Sequence, residues 1–179
     1  MYSPMMFRSF LLAAALLGSS FVQAATTPLD QAQGLWLAGH RAEAVEKIEA
    51  ALKSVPEDLK LRFALGVYKM ELRQTDAALQ ILTSLSQDFP DLADPYNNLA
   101  VIHASQGQLD MARNDLEQAL RLQPDHPQAQ ENFGDLMLRI AARAYQRAQS
   151  ALPAPSASLE QKLRLTQALV LKVTPGPAP

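Results

Sequence analysis

Cysteine is absent from this chain. Its absence rules out disulfides, and it also rules out the lipid-modified N-terminal cysteine that can tether an exported protein to a membrane. Aromatic side chains make up only 6% of the sequence and tryptophan occurs once, while alanine and leucine dominate. That balance favours helices over sheets, because strands draw on aromatic and β-branched residues. A long apolar run is missing too. The stretch from Phe10 to Leu17 is unbroken but short, and a spanning helix needs about 20 apolar residues. Neither sign of charge prevails. Removing Arg8 from the 16 basic residues leaves 15 against 18 acidic ones, a net charge of −3. A nucleic-acid surface and an anionic membrane are therefore not expected partners.

Catalytic constellations are equally scarce. No Gly-rich phosphate loop, nucleophile-elbow serine or metalloprotease helix motif occurs. His40, His103 and His126 have no second histidine or carboxylate at metal-ligand spacing. His40 and His126 fall in predicted turns and read as solvated groups. His103 falls on a predicted helix and reads as a packing residue with one nitrogen satisfied. The sequence predicts no enzyme, no cofactor and no metal site.

What is present begins with Arg8, the apolar run and Gly18, followed by Val22-Gln23-Ala24-Ala25. A positive start, a short apolar stretch and small residues at a cleavage site form the pattern of a secretory signal peptide. Residues 1–24 are expected to be removed, leaving a soluble product in the periplasm that is not a lipoprotein and is not stably inserted in a membrane.

The rest of the chain repeats. Pro56, Pro90 and Pro124 stand 34 residues apart, and the same shift aligns Ala44, Ala78 and Ala112. It also aligns Ala32, Gly66 and Ala100, and then Ile48, Leu82 and Leu116. Small residues recur where large ones would block close packing, and proline recurs where a helix must stop. Between these columns apolar residues follow helical spacing, as at Leu61, Leu65, Tyr68 and Leu72. Thr27-Pro28 and Asp94-Pro95 read as capping side chains placed before a proline at the first helical position.

A 34-residue period with these contents resembles the tetratricopeptide repeat family. The third unit carries the likeness best, with Tyr96, Leu99-Ala100, Gly107 at the inter-helix turn, Ala112, Leu116, Ala119-Leu120 and Pro124. The second unit departs at Arg73, which holds the turn position, and at Leu85; the first departs at Gln31. The resemblance implies an all-α fold, a right-handed α-solenoid of three helix pairs plus a long C-terminal capping helix. The units are placed at 25–58, 59–92 and 93–126. A partial fourth unit, 127–150, stays helical past Phe133-Gly134 and shows one apolar stripe. Its wet face carries Glu131, Asp135, Arg139, Arg143 and Arg147 at four-residue steps, the basic ones suiting the helix dipole. Residues 151–157 form a Pro/Ala linker. Ser158-Leu159-Glu160-Gln161 reads as a capping box opening an amphipathic helix over 158–173, and residues 174–179 as a disordered tail.

The resemblance further implies that the first helices of successive units line a peptide-binding groove. Its positions map onto Leu29, Gln33 and Trp36, then Phe63, Val67 and Met70, then Asn97, Asn98 and Val101, and lastly Asp135 and Arg139. Trp36, Phe63 and Met70 are expected to lie exposed as anchors, and the two asparagines to bond a peptide backbone. Family members that grip a C-terminal carboxylate use Lys, Asn and Arg at set positions. Those positions here hold Leu29 or Phe63, Gln33 or Val67, and Asn132, so no carboxylate clamp is expected. The sequence therefore points to a non-enzymatic adaptor or assembly factor for a cell-envelope protein. Two other readings stand beside it: a chaperone-like holder of unfolded exported proteins, and a homodimer formed through the last helix. That helix could also fold back into the groove.

Overall fold

The computed structural model describes residues 26–154 and 156–173, and each element among them is an α-helix. In chain order they are α1 (Pro28–Leu37), α2 (Arg41–Leu52), α3 (Leu59–Glu71), α4 (Thr75–Asp88), α5 (Ala93–Ser105), α6 (Leu109–Leu122), α7 (Pro127–Ala151) and α8 (Ala157–Val173). The expected signal segment, 1–24, and the expected tail, 174–179, lie outside the described residues.

The columns set by the period are the places where helices touch. Ala44, Ala78 and Ala112 have no exposed surface, and Ile48, Leu82 and Leu116 are at most 2% exposed. Gly66 shows why its column stays small. A Cβ there would sit 3.1 Å from Leu82 Cδ2 and 3.3 Å from Ile81 Cγ2, so a larger residue would force those α4 side chains to give by a few tenths of an ångström. The core is a chain of three clusters. One joins α1, α2 and α3 around Ala32, Ala44, Ile48 and Leu65. The next joins α4 and α5 around Leu82, Leu85 and Ile102, and the last joins α5, α6 and α7 around Ala112, Leu116 and Leu136. Each pair is completed only by its neighbours, as a linear repeat requires.

The turns inside the pairs share one backbone device. Gly39, Arg73 and Gly107, again 34 residues apart, adopt φ of 85°, 58° and 76°. Each lets the chain leave one helix and enter the next within a few residues.

The helix starts bear out one expected cap and revise two. Thr27 caps α1 in a capping box: its Oγ1 accepts from the Asp30 N–H at 3.1 Å while Asp30 accepts from the Thr27 N–H at 2.9 Å. Asp94 does not cap α5. That helix begins at Ala93 with Leu92 at its N-cap, and the Asp94 carboxylate is instead held by His126. Ser156, not Ser158, caps α8, its Oγ accepting from the Leu159 N–H at 3.4 Å.

Successive odd helices touch (α1 with α3, α3 with α5, α5 with α7), whereas successive even helices do not. The stack therefore bends with the odd helices in its inner layer. α8 packs on α7 and on no other helix, so it leaves the odd-helix face open. It meets α7 much as the second helix of each pair meets its first, so α7 is flanked by α6 and α8. None of the described helices is long and apolar enough to cross a membrane.

Candidate functional site

The odd-helix face gathers the residues expected to line a groove, but in three distinct conditions. Phe63, Val67 and Met70 are half-buried along α3 at positions i, i+4 and i+7, with Phe63 and Met70 leaning on the middle core cluster. Val101 of α5 is 37% exposed, and Gln33 of α1 is exposed. Asn98 is half-buried and its amide donates back to the Asp94 carbonyl at 2.9 Å. Leu29 is half-buried against the first cluster, and Asp135 is half-buried on α7. These residues form the open part of the face.

Trp36 is not the exposed anchor the sequence suggested. Its ring stacks on Tyr68 with centroids 4.0 Å apart and planes 9° from parallel, and the Arg41 guanidinium lies 5.2 Å from its centroid. This stack joins α1 to α3, and burial raises the Tyr68 hydroxyl pKa. Asn97 is likewise unavailable: it is 5% exposed, and its Oδ1 accepts from Asn132 Nδ2 at 2.8 Å, joining α5 to α7. Arg139 sits at the edge of the stack, where its Nη2 donates to the Ala104 carbonyl at 2.7 Å near the α5–α6 turn. Trp36, Phe63 and Met70 are all at least half-buried, because a stack of few repeats draws large groove residues into its thin core.

The histidines are also more engaged than their isolation in sequence implied. His40 Nδ1 lies 2.8 Å from Glu43 on the surface. His103 is 7% exposed and pairs with Asp115 at 2.6 Å; burial raises the pKa of that carboxyl despite the histidine beside it. His126, predicted to be solvated, is 9% exposed and caps α7. The Ala129 N–H donates to its Nδ1 at 3.3 Å and its Nε2–H donates to Asp94 at 2.9 Å, which fixes the proton on Nε2. Among the described residues no group of three or more His, Asp and Glu is placed to hold a metal ion.

Two tetratricopeptide repeat profiles match the chain, over residues 29–93 and residues 93–126. The chain belongs to the tetratricopeptide repeat family. A search of curated proteins returned no match. Among solved structures, a thermophilic tetratricopeptide repeat protein of Thermus thermophilus superposes with a TM-score of 0.58 at 19% identity, covering 79% of this chain and 80% of that one. MamA gives a TM-score of 0.57 at 16% identity, over 85% of this chain and 78% of that one. The second tetratricopeptide repeat domain of human RPAP3, in complex with the HSP70 peptide SGPTIEEVD, gives 0.56 at 16% identity, over 62% of this chain and 92% of that one. At these identities the likeness is one of fold.

Within this tetratricopeptide stack a further feature escaped the sequence. Arg143 grips Asp110 with both terminal nitrogens, at 2.8 and 3.2 Å, and that hydrogen bonding, with the nearby charges of Arg143, Arg113 and Arg147, holds the Asp110 carboxyl below its usual range. The four-residue arginine step on α7 is therefore no uniformly wet face. Arg139 and Arg143 are half-buried against α5 and α6, and the step itself was the one signal available.

Proposed function

We propose that this protein is a non-enzymatic interaction module that holds a peptide segment of a cell-envelope partner on its odd-helix face, acting as a soluble periplasmic adaptor or assembly factor. The observation that carries the reading is the set of half-open apolar residues on the odd-helix face, Phe63, Val67 and Met70 of α3 and Val101 of α5. A set of this kind, at the inner side of a bent stack, fits an extended or helical segment with apolar anchors. The RPAP3 domain holds a peptide on the same fold, and its peptide is acidic. Here the positions expected of a carboxylate clamp carry Leu29 or Phe63 and Gln33 or Val67, so the ligand is expected to dock by apolar side chains. The signal-peptide pattern of residues 1–24 supports the periplasmic setting.

A photo-crosslinking amino acid at Val67 or Val101, in cells, is expected to trap one discrete partner recovered from the periplasmic fraction, while the same label at exposed Met111 of α6 traps none. Many weak adducts would favour the chaperone-like holder, and equal labelling from all three positions would overturn the groove. The homodimer reading keeps one supporting observation, the exposed Leu165 and Leu169 on α8. Light scattering on the full chain and on one ending at Ser150 separates it, because identical association states exclude a dimer through α8.

A further inference from the structure

α6 and α8 flank α7 without touching each other, and between them lies a cleft of about 480 Å³. Its apolar surface comes from Leu109, Ala142, Val170 and the exposed Leu171, and its walls carry the amides of Gln146 and Gln167. A cavity of this size lies within the roughly 300–1,000 Å³ of ordinary ligand sites. Charge is gathered beside it. Arg139 and Arg143 line the cleft, and Arg113 and Arg147 lie close enough to act on Asp110. Against these four arginines stand Asp110, held by Arg143, and Glu117, 3.7 Å from Arg113. Arg139 donates to the Ala104 carbonyl in the last turn of α5, with Asp135 one turn before it on α7. The imbalance extends through the region: from residue 137 onward six basic residues face one acidic, net +5, while over residues 25–136 nine face seventeen, net −8.

We propose that the α6–α7–α8 cleft is a second docking site, separate from the odd-helix face, for an acidic segment of a protein partner. Carboxylates of that segment pair with Arg113, Arg139 and Arg147, an adjacent apolar side chain enters the cavity, and Gln146 and Gln167 bond its backbone. The Arg143–Asp110 pair already displays bidentate carboxylate recognition at this place. Wall amides match a peptide backbone, which both donates and accepts, better than an acyl chain, which does neither. A lipid surface is disfavoured for a further reason. Leu165 and Leu169, the other exposed leucines of α8, each lie two residues from Gln167; at about 100° per residue that turns them away from the cleft. Membrane docking needs the leucines and cations on one flat face.

The test is fluorescence anisotropy with a short, labelled, acetylated and amidated peptide of alternating Glu and Leu. Saturable binding that weakens with salt is expected, with little binding of the Gln/Leu or Glu/Ser versions. Arg113→Glu combined with Arg147→Glu should weaken it about tenfold, as should Leu171→Ser at the lip of the cleft, while Val101→Asp on the odd-helix face leaves it unchanged. Circular dichroism confirms that each variant is folded. Absent saturable binding, equal affinity of the charge-reversed protein, or loss with Val101→Asp each overturns the proposal. So does failure to bind the peptide together with arginine-dependent binding of phosphatidylglycerol vesicles, which would make this a lipid site. The same failure with arginine-dependent self-association in sedimentation would assign the cleft to another copy's acidic repeats.

Discussion

Arg73 holds a turn that glycine holds in the other two repeats, at φ 58° with its backbone in the left-handed region. That conformation costs an L-residue roughly 1–2 kcal/mol, offset in part because glycine is freer in the unfolded chain. Arg73→Gly is therefore expected to raise stability by about 0.5–1 kcal/mol in urea titration, and Gly107→Ala to lower it by about 1 kcal/mol. No heavy atom lies within 4 Å of a Cβ placed on Gly107, so the loss would be one of backbone strain rather than collision. A second residue sets a pH dependence. Desolvation raises the Asp115 pKa above its unfolded value, so the folded state binds this proton more tightly than the unfolded one. Its contribution is then fully present below the unfolded pKa and is lost as pH rises through the folded one. Asp115→Asn keeps an acceptor for His103 without the charge. The variant should be the more stable protein at neutral pH, and its advantage should shrink as pH falls. An advantage that grew with acid would contradict the assignment.

At the scale of the element, the helices were legible wherever a period fixed both ends. The prolines, the alanine column and the turn residues are spaced by the geometry of a stacked pair, and a 34-residue shift exposes them without any knowledge of contacts. What the period does not govern stayed hidden. His126 looked like a turn residue because its partners, Asp94 and the Ala129 N–H, meet only once α5 and α7 pack. Trp36 looked like an exposed anchor because its stacking partner, Tyr68, belongs to the next repeat. The docking of α8 on α7 depends on a turn outside the repeat and left no periodic mark. The His126 cap carries its own prediction. His126→Ala removes an acceptor from the start of α7 and the tie to α5, and should cost about 1–2 kcal/mol. His126→Asn, which can still cap, should recover part of it. The loss should appear in the urea midpoint with an unchanged slope, because the surface exposed on unfolding is the same.

For the whole molecule, a stack in which each pair contacts only its neighbours cannot be equally stable along its length. α1 buries Ala32 alone, and the only buried side chain described on α8 is Thr166, whereas α5 buries seven residues and is packed by α3, α4, α6 and α7. The end helices thus lie at the low-stability limit, where opening is local, and the third repeat at the limit set by global unfolding. Hydrogen exchange read by mass spectrometry should find α5 and α6 slowest, α3 and α4 next, and α1 and α8 fastest. The same ordering bears on function. The strip on α3 and α5 lies on the rigid middle of the stack, so a peptide bound there should slow the globally exchanging amides of α5 and leave the locally opening α8 almost unchanged. A ligand in the α6–α7–α8 cleft would instead bridge a mobile end helix to the stable third repeat, and should slow exchange in α8 as well as in the third repeat. Protection of α8 equal to that of α5 in the free protein would refute the gradient, and with it the account of the core as a chain of three coupled clusters.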